Sequence, residues 1–136
     1  MLENPTLRSV SLFVPDLEEA GRRYAEVFRV QPARGDATLP SPHPFGAGRP
    51  PVVFDLGGVK LALYQADGRT TRGGDVGIGV ELDAPPAALA ERATRHDGQV
   101  FHGPARLADG RELAVFVLPG AHYFEVVGPN KVDSQL

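Results

Sequence analysis

The chain has 136 residues, 42% of them hydrophobic and 23% charged, with a net charge of −3 and a pI near 5.8, the composition of one soluble globular domain able to bury a core. Its 12 arginines and 2 lysines are scattered rather than clustered, which speaks against a nucleic-acid partner. The lack of cysteine excludes disulfides, thiolate metal ligands and a Cys nucleophile, while the absence of a leader pattern at the start and the shortness of the longest apolar run, Leu113 to Leu118, lead us to expect a cytoplasmic protein with no membrane partner.

Val10, Leu12 and Val14 alternate with Ser9, Ser11 and Phe13, the period-two pattern of a strand with one face on the core. Pro15-Asp16 ends it. Asp16 is placed to cap a helix, with Glu19 three residues on as in a capping box. Leu17, Ala20, Tyr24, Val27 and Phe28 are expected on its apolar face, and Glu18–Arg22 and Glu19–Arg23 as i,i+4 pairs on the wet side. Gln31 to Pro51 holds six of the 13 prolines. It reads as a short strand near Val30 and then a long irregular loop, either a functional lid or a variable surface connection. Two strands follow, Pro51–Leu56 and Val59–Tyr64, turned tightly at Gly57-Gly58.

Ala66 to Gly74 is a polar linker. Asp75–Leu82 reads as the next strand. Asp83 is expected to cap a second helix over Ala87–His96, with Pro85 and Pro86 in its first turn, a thin apolar face of Leu89 and Ala93, and a stop at Gly98. Gln99–Gly103, Glu112–Leu118 and His122–Val127 supply three more strands, separated by turns at Asp109-Gly110 and Pro119-Gly120.

The order strand, helix, three strands therefore occurs twice. Matched positions lie 66 residues apart at the front (Val10 to Val76) and 63 apart at the back (Leu61 to Phe124), too long a period for a solenoid and suited to a pseudo-symmetric pair. The expected fold is α+β: a single domain of two βαβββ modules, about 6–65 and 75–129, joined by a linker over 66–74 and followed by a tail over 130–136. A curved mixed sheet would surround a cleft between the modules.

This order resembles the vicinal oxygen chelate superfamily, which includes glyoxalase I, extradiol dioxygenases, and the bleomycin and fosfomycin resistance proteins. The residues that carry the resemblance are Val10-Ser11-Leu12-Phe13-Val14-Pro15-Asp16-Leu17, Arg23-Tyr24-Ala25-Glu26-Val27-Phe28, and the ending Gly120-Ala121-His122-Tyr123-Phe124-Glu125-Val126-Val127-Gly128-Pro129. Arg29 departs from the family, which often has Gly there. In metal-dependent members each half gives one ligand from its first strand and one from its last. The resemblance puts those positions at Ser9 and Ala62, and at Asp75 (or Val76 in a register slipped by one) and Glu125. Two carboxylates and a hydroxyl fall short of the donors a tight first-row ion wants. No cofactor is therefore expected; if a divalent metal binds at all, Asp75 and Glu125 would hold it.

Ser9, Ser11, Phe13, Ala62, Tyr64, Asp75, Gly77, Tyr123 and Glu125 are the expected ligand-binding residues, a wall of small, aromatic and hydroxyl side chains suited to a small molecule. No catalytic residue is assigned. Glu125, on an apolar strand, suits proton transfer or pairing with a cationic guest, or else is a solvated carboxylate at the cavity mouth. Gly77 and Gly79 share a face, which implies close approach by ligand or by a dimer partner. His43 and His102 are the histidines placed to touch a ligand, against the plain alternative of satisfied or surface groups. The function this supports is binding of a small organic molecule in the cleft without a tight metal. The alternatives are a divalent-metal lyase, isomerase or dioxygenase, and a non-catalytic dimeric module. The resemblance also implies a homodimer.

Overall fold

The computed structural model describes residues 4–41, 43–68, 76–119 and 123–130. The chain divides into two compact units, residues 9–76 and residues 77–136 with 1–8. The first is built on β1 (Thr6–Val14), α1 (Leu17–Phe28), β2 (Ala33–Arg34), β3 (Val52–Leu56) and β4 (Val59–Gln65). The second is built on β5 (Val76–Glu81), α2 (Pro86–Arg95), β6 (Gln99–Arg106), β7 (Glu112–Val117) and β8 (Tyr123–Gly128). The strands are ordered β2-β3-β4-β1 in one and β5-β8-β7-β6 in the other. In both, the first strand runs parallel to the last, and the remaining pairs are antiparallel. The expected α+β architecture with two βαβββ modules is present.

Helix α1 starts as its sequence dictates. The Asp16 carboxylate accepts from the Glu19 N–H at 3.1 Å, satisfying one of the donors a helix N-terminus leaves open. A second open donor, the Leu17 N–H, reaches Gln65 Oε1 at 3.0 Å, so the end of β4 helps to hold the start of α1. Leu17, with the partly buried Ala20, Tyr24 and Ala25, packs on Val52, Phe54 and Leu63. Val27 and Phe28, also expected on this face, are exposed instead, Val27 at 77%. Ten residues beyond Leu17, Val27 lies about 80° around the helix from that residue, just outside the edge of the buried stripe. Glu19 pairs with Arg23 as expected. Glu18, expected to reach Arg22, accepts from Arg34 and Arg49, each at 2.8 Å. Those two guanidiniums hold its carboxyl below the usual range. The helix ends on Arg29 in the left-handed region, φ 54°.

Helix α2 departs from expectation at its start. Asp83 does not cap it; its carboxylate accepts from Asn4 Nδ2 at 2.9 Å. The N-cap is Pro85, with no side-chain hydrogen bond. The paired prolines explain this: Pro86 has the fixed φ of a first helical residue and keeps the residue before it extended, so the N-cap falls two residues beyond Asp83. Its buried face is Pro86, Ala90 and Ala93, with Leu89 partly buried against Phe116, Val126 and Leu82. The stop is as expected. Asp97 turns left-handed (φ 67°), and the Gly98 N–H donates back to the Ala93 carbonyl at 2.7 Å.

The β3–β4 turn uses Gly57 and Gly58 at φ 70° and 95°, and Asp55 Oδ1 accepts from the Gly58 N–H at 3.0 Å. The strand expected near Val30 begins instead at Ala33, after Pro32, which has no N–H to offer a ladder. Strand β6 runs on to Arg106, past the expected Gly103, with register shifts on either side of His102.

Candidate functional site

Each module has a strand face turned away from its own helix, and these two faces carry the expected site residues other than Asp75. In the first module β1 and β4 pair Ser11 with Ala62 and Phe13 with Tyr64. Strand alternation puts Ser9 on the same side as Ser11 and Phe13. All five are buried. The Pro-rich loop lies across this face. Leu39 packs into one cluster with Phe13, Val53, Ala62 and Tyr64, with Phe45 against it. His43, only 2% exposed, stands edge-on to Phe13 and Tyr64, with ring centroids 4.7 Å from each. Its Nδ1 accepts from the Phe45 N–H at 3.0 Å. The Tyr64 hydroxyl donates to the Pro40 carbonyl at 2.7 Å. The structure thus brings Phe13, Ala62 and Tyr64 together beneath the module's own loop.

In the second module the ladder pairs Gly77 with Tyr123, and Gly79 with Glu125. Glu125 in turn opposes Val115, and Val115 opposes His102. Gly79, Glu125, Val115 and His102 therefore form one row across four strands. Glu125 is 2% exposed. Its carboxylate occupies the space where a side chain at Gly77 would begin: an ideal Cβ there would lie 2.5 Å from Oε2 and 2.8 Å from Cδ. The close approach that a glycine at position 77 implies is made by this chain's own glutamate. Beside it, Tyr123 meets Phe101 edge-on at 5.2 Å, and Phe101 is one of the exposed large apolar side chains. Asp75 lies outside the described residues, as does His122.

The ladders also correct the alignment of the two halves. Leu61 pairs with Val10 and Phe124 pairs with Ile78, so with Leu61 matched to Phe124, Val10 corresponds to Ile78 rather than Val76. The shift is two residues, which preserves the face. Ser9 then corresponds to Gly77, and Ala62 to Glu125. The four positions at which the resemblance would put metal ligands then read Ser9, Ala62, Gly77 and Glu125. Alanine and glycine have no donor side chain, and one hydroxyl with one carboxylate does not make a tight site. Among the described residues, no group of three or more His, Asp or Glu gathers elsewhere to replace it.

Leu39, Phe45 and Gln65 were not singled out in the sequence. Apolar Leu39 and Phe45 inside a Pro-rich loop are the signal that this loop docks rather than waves in solvent. Lys60 and Asp36 pair at the edge of the same loop. Burial alone would raise the Asp36 carboxyl, but the Lys60 ammonium and the Thr38 hydroxyl and N–H outweigh it and hold it below the usual range.

No protein-family model matches the chain, and no curated protein matches it. Solved structures do. A hypothetical protein from Bacillus halodurans C-125 matches with a TM-score of 0.67 at 14% identity, over 94% of this chain and 96% of its own. Methylmalonyl-CoA epimerase from Mycobacterium tuberculosis matches with a TM-score of 0.61 at 14% identity, over 96% and 91%. A glyoxalase/bleomycin resistance protein/dioxygenase superfamily member from Vibrio splendidus 12B01 matches with a TM-score of 0.58 at 14% identity, over 90% and 99%. The fold is therefore that of the vicinal oxygen chelate proteins, as the resemblance implied.

Proposed function

We propose that the protein binds a small organic cation on the face of its second module that is turned away from α2, with Glu125 as the counter-charge and Tyr123 and Phe101 as the aromatic contacts. The observation that carries this reading is the Glu125 carboxylate, 2% exposed on an apolar strand and lodged against a glycine. A carboxylate accepts hydrogen bonds, and when ionised it attracts a cation more strongly on a largely water-excluded face than in bulk water. An exposed ring beside it offers the flat surface on which a cation or an aromatic guest rests. The acidic balance of the chain supports the same preference for charge.

Metal-dependent lyase, isomerase or dioxygenase chemistry is the less supported reading, because Ala62 and Gly77 offer no ligand atoms. The test is a thermal-shift and calorimetric series with benzyltrimethylammonium and benzylammonium against benzoate. The reading requires the cations to bind and the anion not to, and Glu125→Gln to remove the difference. Equal response to both charges would refute it.

A further inference from the structure

The duplicated modules differ most in one connection. The second module joins β6 to β7 through residues 107–111, whereas the first joins β2 to β3 through residues 35–51. The repeat shows that the fold closes this hairpin with five residues, so the additional chain in the first module is not needed to connect strands. Its route shows where it goes. Leu39, His43 and Phe45 stand over the Phe13, Ala62 and Tyr64 face, the counterpart of the face on which the second module holds Glu125.

The attachment of this segment has two parts. Its margins are held by ion pairs on partly exposed side chains, Asp36 with Lys60 and Arg49 with Glu18. Its middle is held by the three packed side chains, the Tyr64–Pro40 hydrogen bond, and backbone contacts at Gly46 and Ala47 with Ala66 and Gln65. Such ion pairs contribute little individually and weaken with salt. A segment joined to its module by side-chain packing, ion pairs and an isolated β-bridge, rather than by a continuous ladder, is the kind of unit that opens below the free energy of global unfolding. Beneath it lies a stacked Phe13–Tyr64 pair, centroids 5.7 Å apart, with Ser11 and Ala62 alongside.

We propose that residues 36–41 and 43–49 form a strap that opens as a unit while the rest of its module stays folded, alternately covering and exposing the Phe13–Tyr64 face. The two ion pairs are its latches, and Leu39, His43 and Phe45 are its plug. The strap does not depend on the ligand assigned to the second module.

The absence of native cysteine lets one introduced thiol report alone. Ala62→Cys places it under the strap; Leu63→Cys places it on the next residue of β4, facing α1. Full-length protein is labelled with a maleimide, and each variant's rate is compared with the rate its own global stability permits. The expected result is labelling of Ala62→Cys at least tenfold faster than global unfolding allows, while Leu63→Cys follows global unfolding. Adding Glu18→Gln and Asp36→Asn accelerates the first further and leaves the second tied to global unfolding. If Ala62→Cys does not fold, Ser11→Cys, the buried partner of Ala62 in the ladder, takes its place. The proposal is overturned if the strap-face thiol labels only with global unfolding, or if loss of both latches leaves its excess rate unchanged.

Discussion

The Glu125 carboxylate occupies the side-chain space of Gly77, with Oε2 2.5 Å from where a Cβ would stand. This relationship explains why β5 carries a glycine near the start of an apolar strand, where glycine otherwise weakens the sheet. It also fixes the position of the carboxylate, because Gly77 and Glu125 lie on paired strands one pleat apart on the same face.

Replacing Gly77 by Ala therefore moves the end of Glu125 more than it moves the backbone. We expect Gly77→Ala to cost about 1–3 kcal/mol, the range for an overpacked buried site, read by urea denaturation. In a Glu125→Ala background the same replacement should cost clearly less, because the obstructing carboxylate is gone. A coupling energy near zero in that double-mutant cycle would mean the carboxylate is not held over Gly77.

Arg29 closes α1 in the left-handed region at φ 54°, a conformation that is strained for a residue with a Cβ and natural for glycine. Arg29→Gly should stabilise the protein by about 0.5–1 kcal/mol, while Arg29→Ala should not. Thermal or chemical denaturation of the pair distinguishes relief of backbone strain from loss of the charge.

The strap's acidic latch makes a pH prediction. Asp36 is held below its usual range in the folded protein, so the folded state binds this proton less readily than the unfolded chain. The stability it contributes is fully present above the unfolded value, about pH 4, and is lost as pH falls through the lower folded value. Between those values the Asp36→Asn variant should lose stability less steeply with acid than the unaltered protein. Parallel curves would show that Asp36 is not a stabilising carboxylate.

Gly98 ends α2 in a crowded place, where a Cβ would lie 2.7 Å from the Ala93 carbonyl and 2.9 Å from the Val117 carbonyl. Both obstacles are backbone and cannot swing aside. Gly98→Ala should destabilise the protein by at least about 1 kcal/mol, with the loss seen as reduced hydrogen-exchange protection at the last turn of α2. Unchanged protection there would contradict the fit.

Local chemistry made much of the fold legible in the sequence. Asp16 with Glu19, Gly57-Gly58 and Gly98 each act through groups one to five residues away, so each signal and its effect lie together in the chain. The period-two strands were readable for the same reason, and their order carried the resemblance. Asp83 misled because a good capping residue lost to the rigid geometry of Pro85-Pro86. Val27 misled because an apolar residue near the end of a helix lies just off the buried stripe. The candidate site was legible in outline only. The pairing of Glu125 with Gly77 depends on a parallel register set by residues far apart in sequence, and a two-residue slip in matching the halves preserves every face. The docking of His43 onto Phe13 and Tyr64 belongs to a loop, where no periodicity announces contact.

The central claim is that Glu125 makes the second module's face selective for cations. The direct measurement is calorimetric titration of the protein and of Glu125→Gln with benzyltrimethylammonium at low and moderate salt. The account predicts measurable binding that weakens with salt and falls about tenfold or more on loss of the charge, equivalent to about 1.4 kcal/mol. Equal affinity of the two proteins, or no binding of the cation by either, would contradict it.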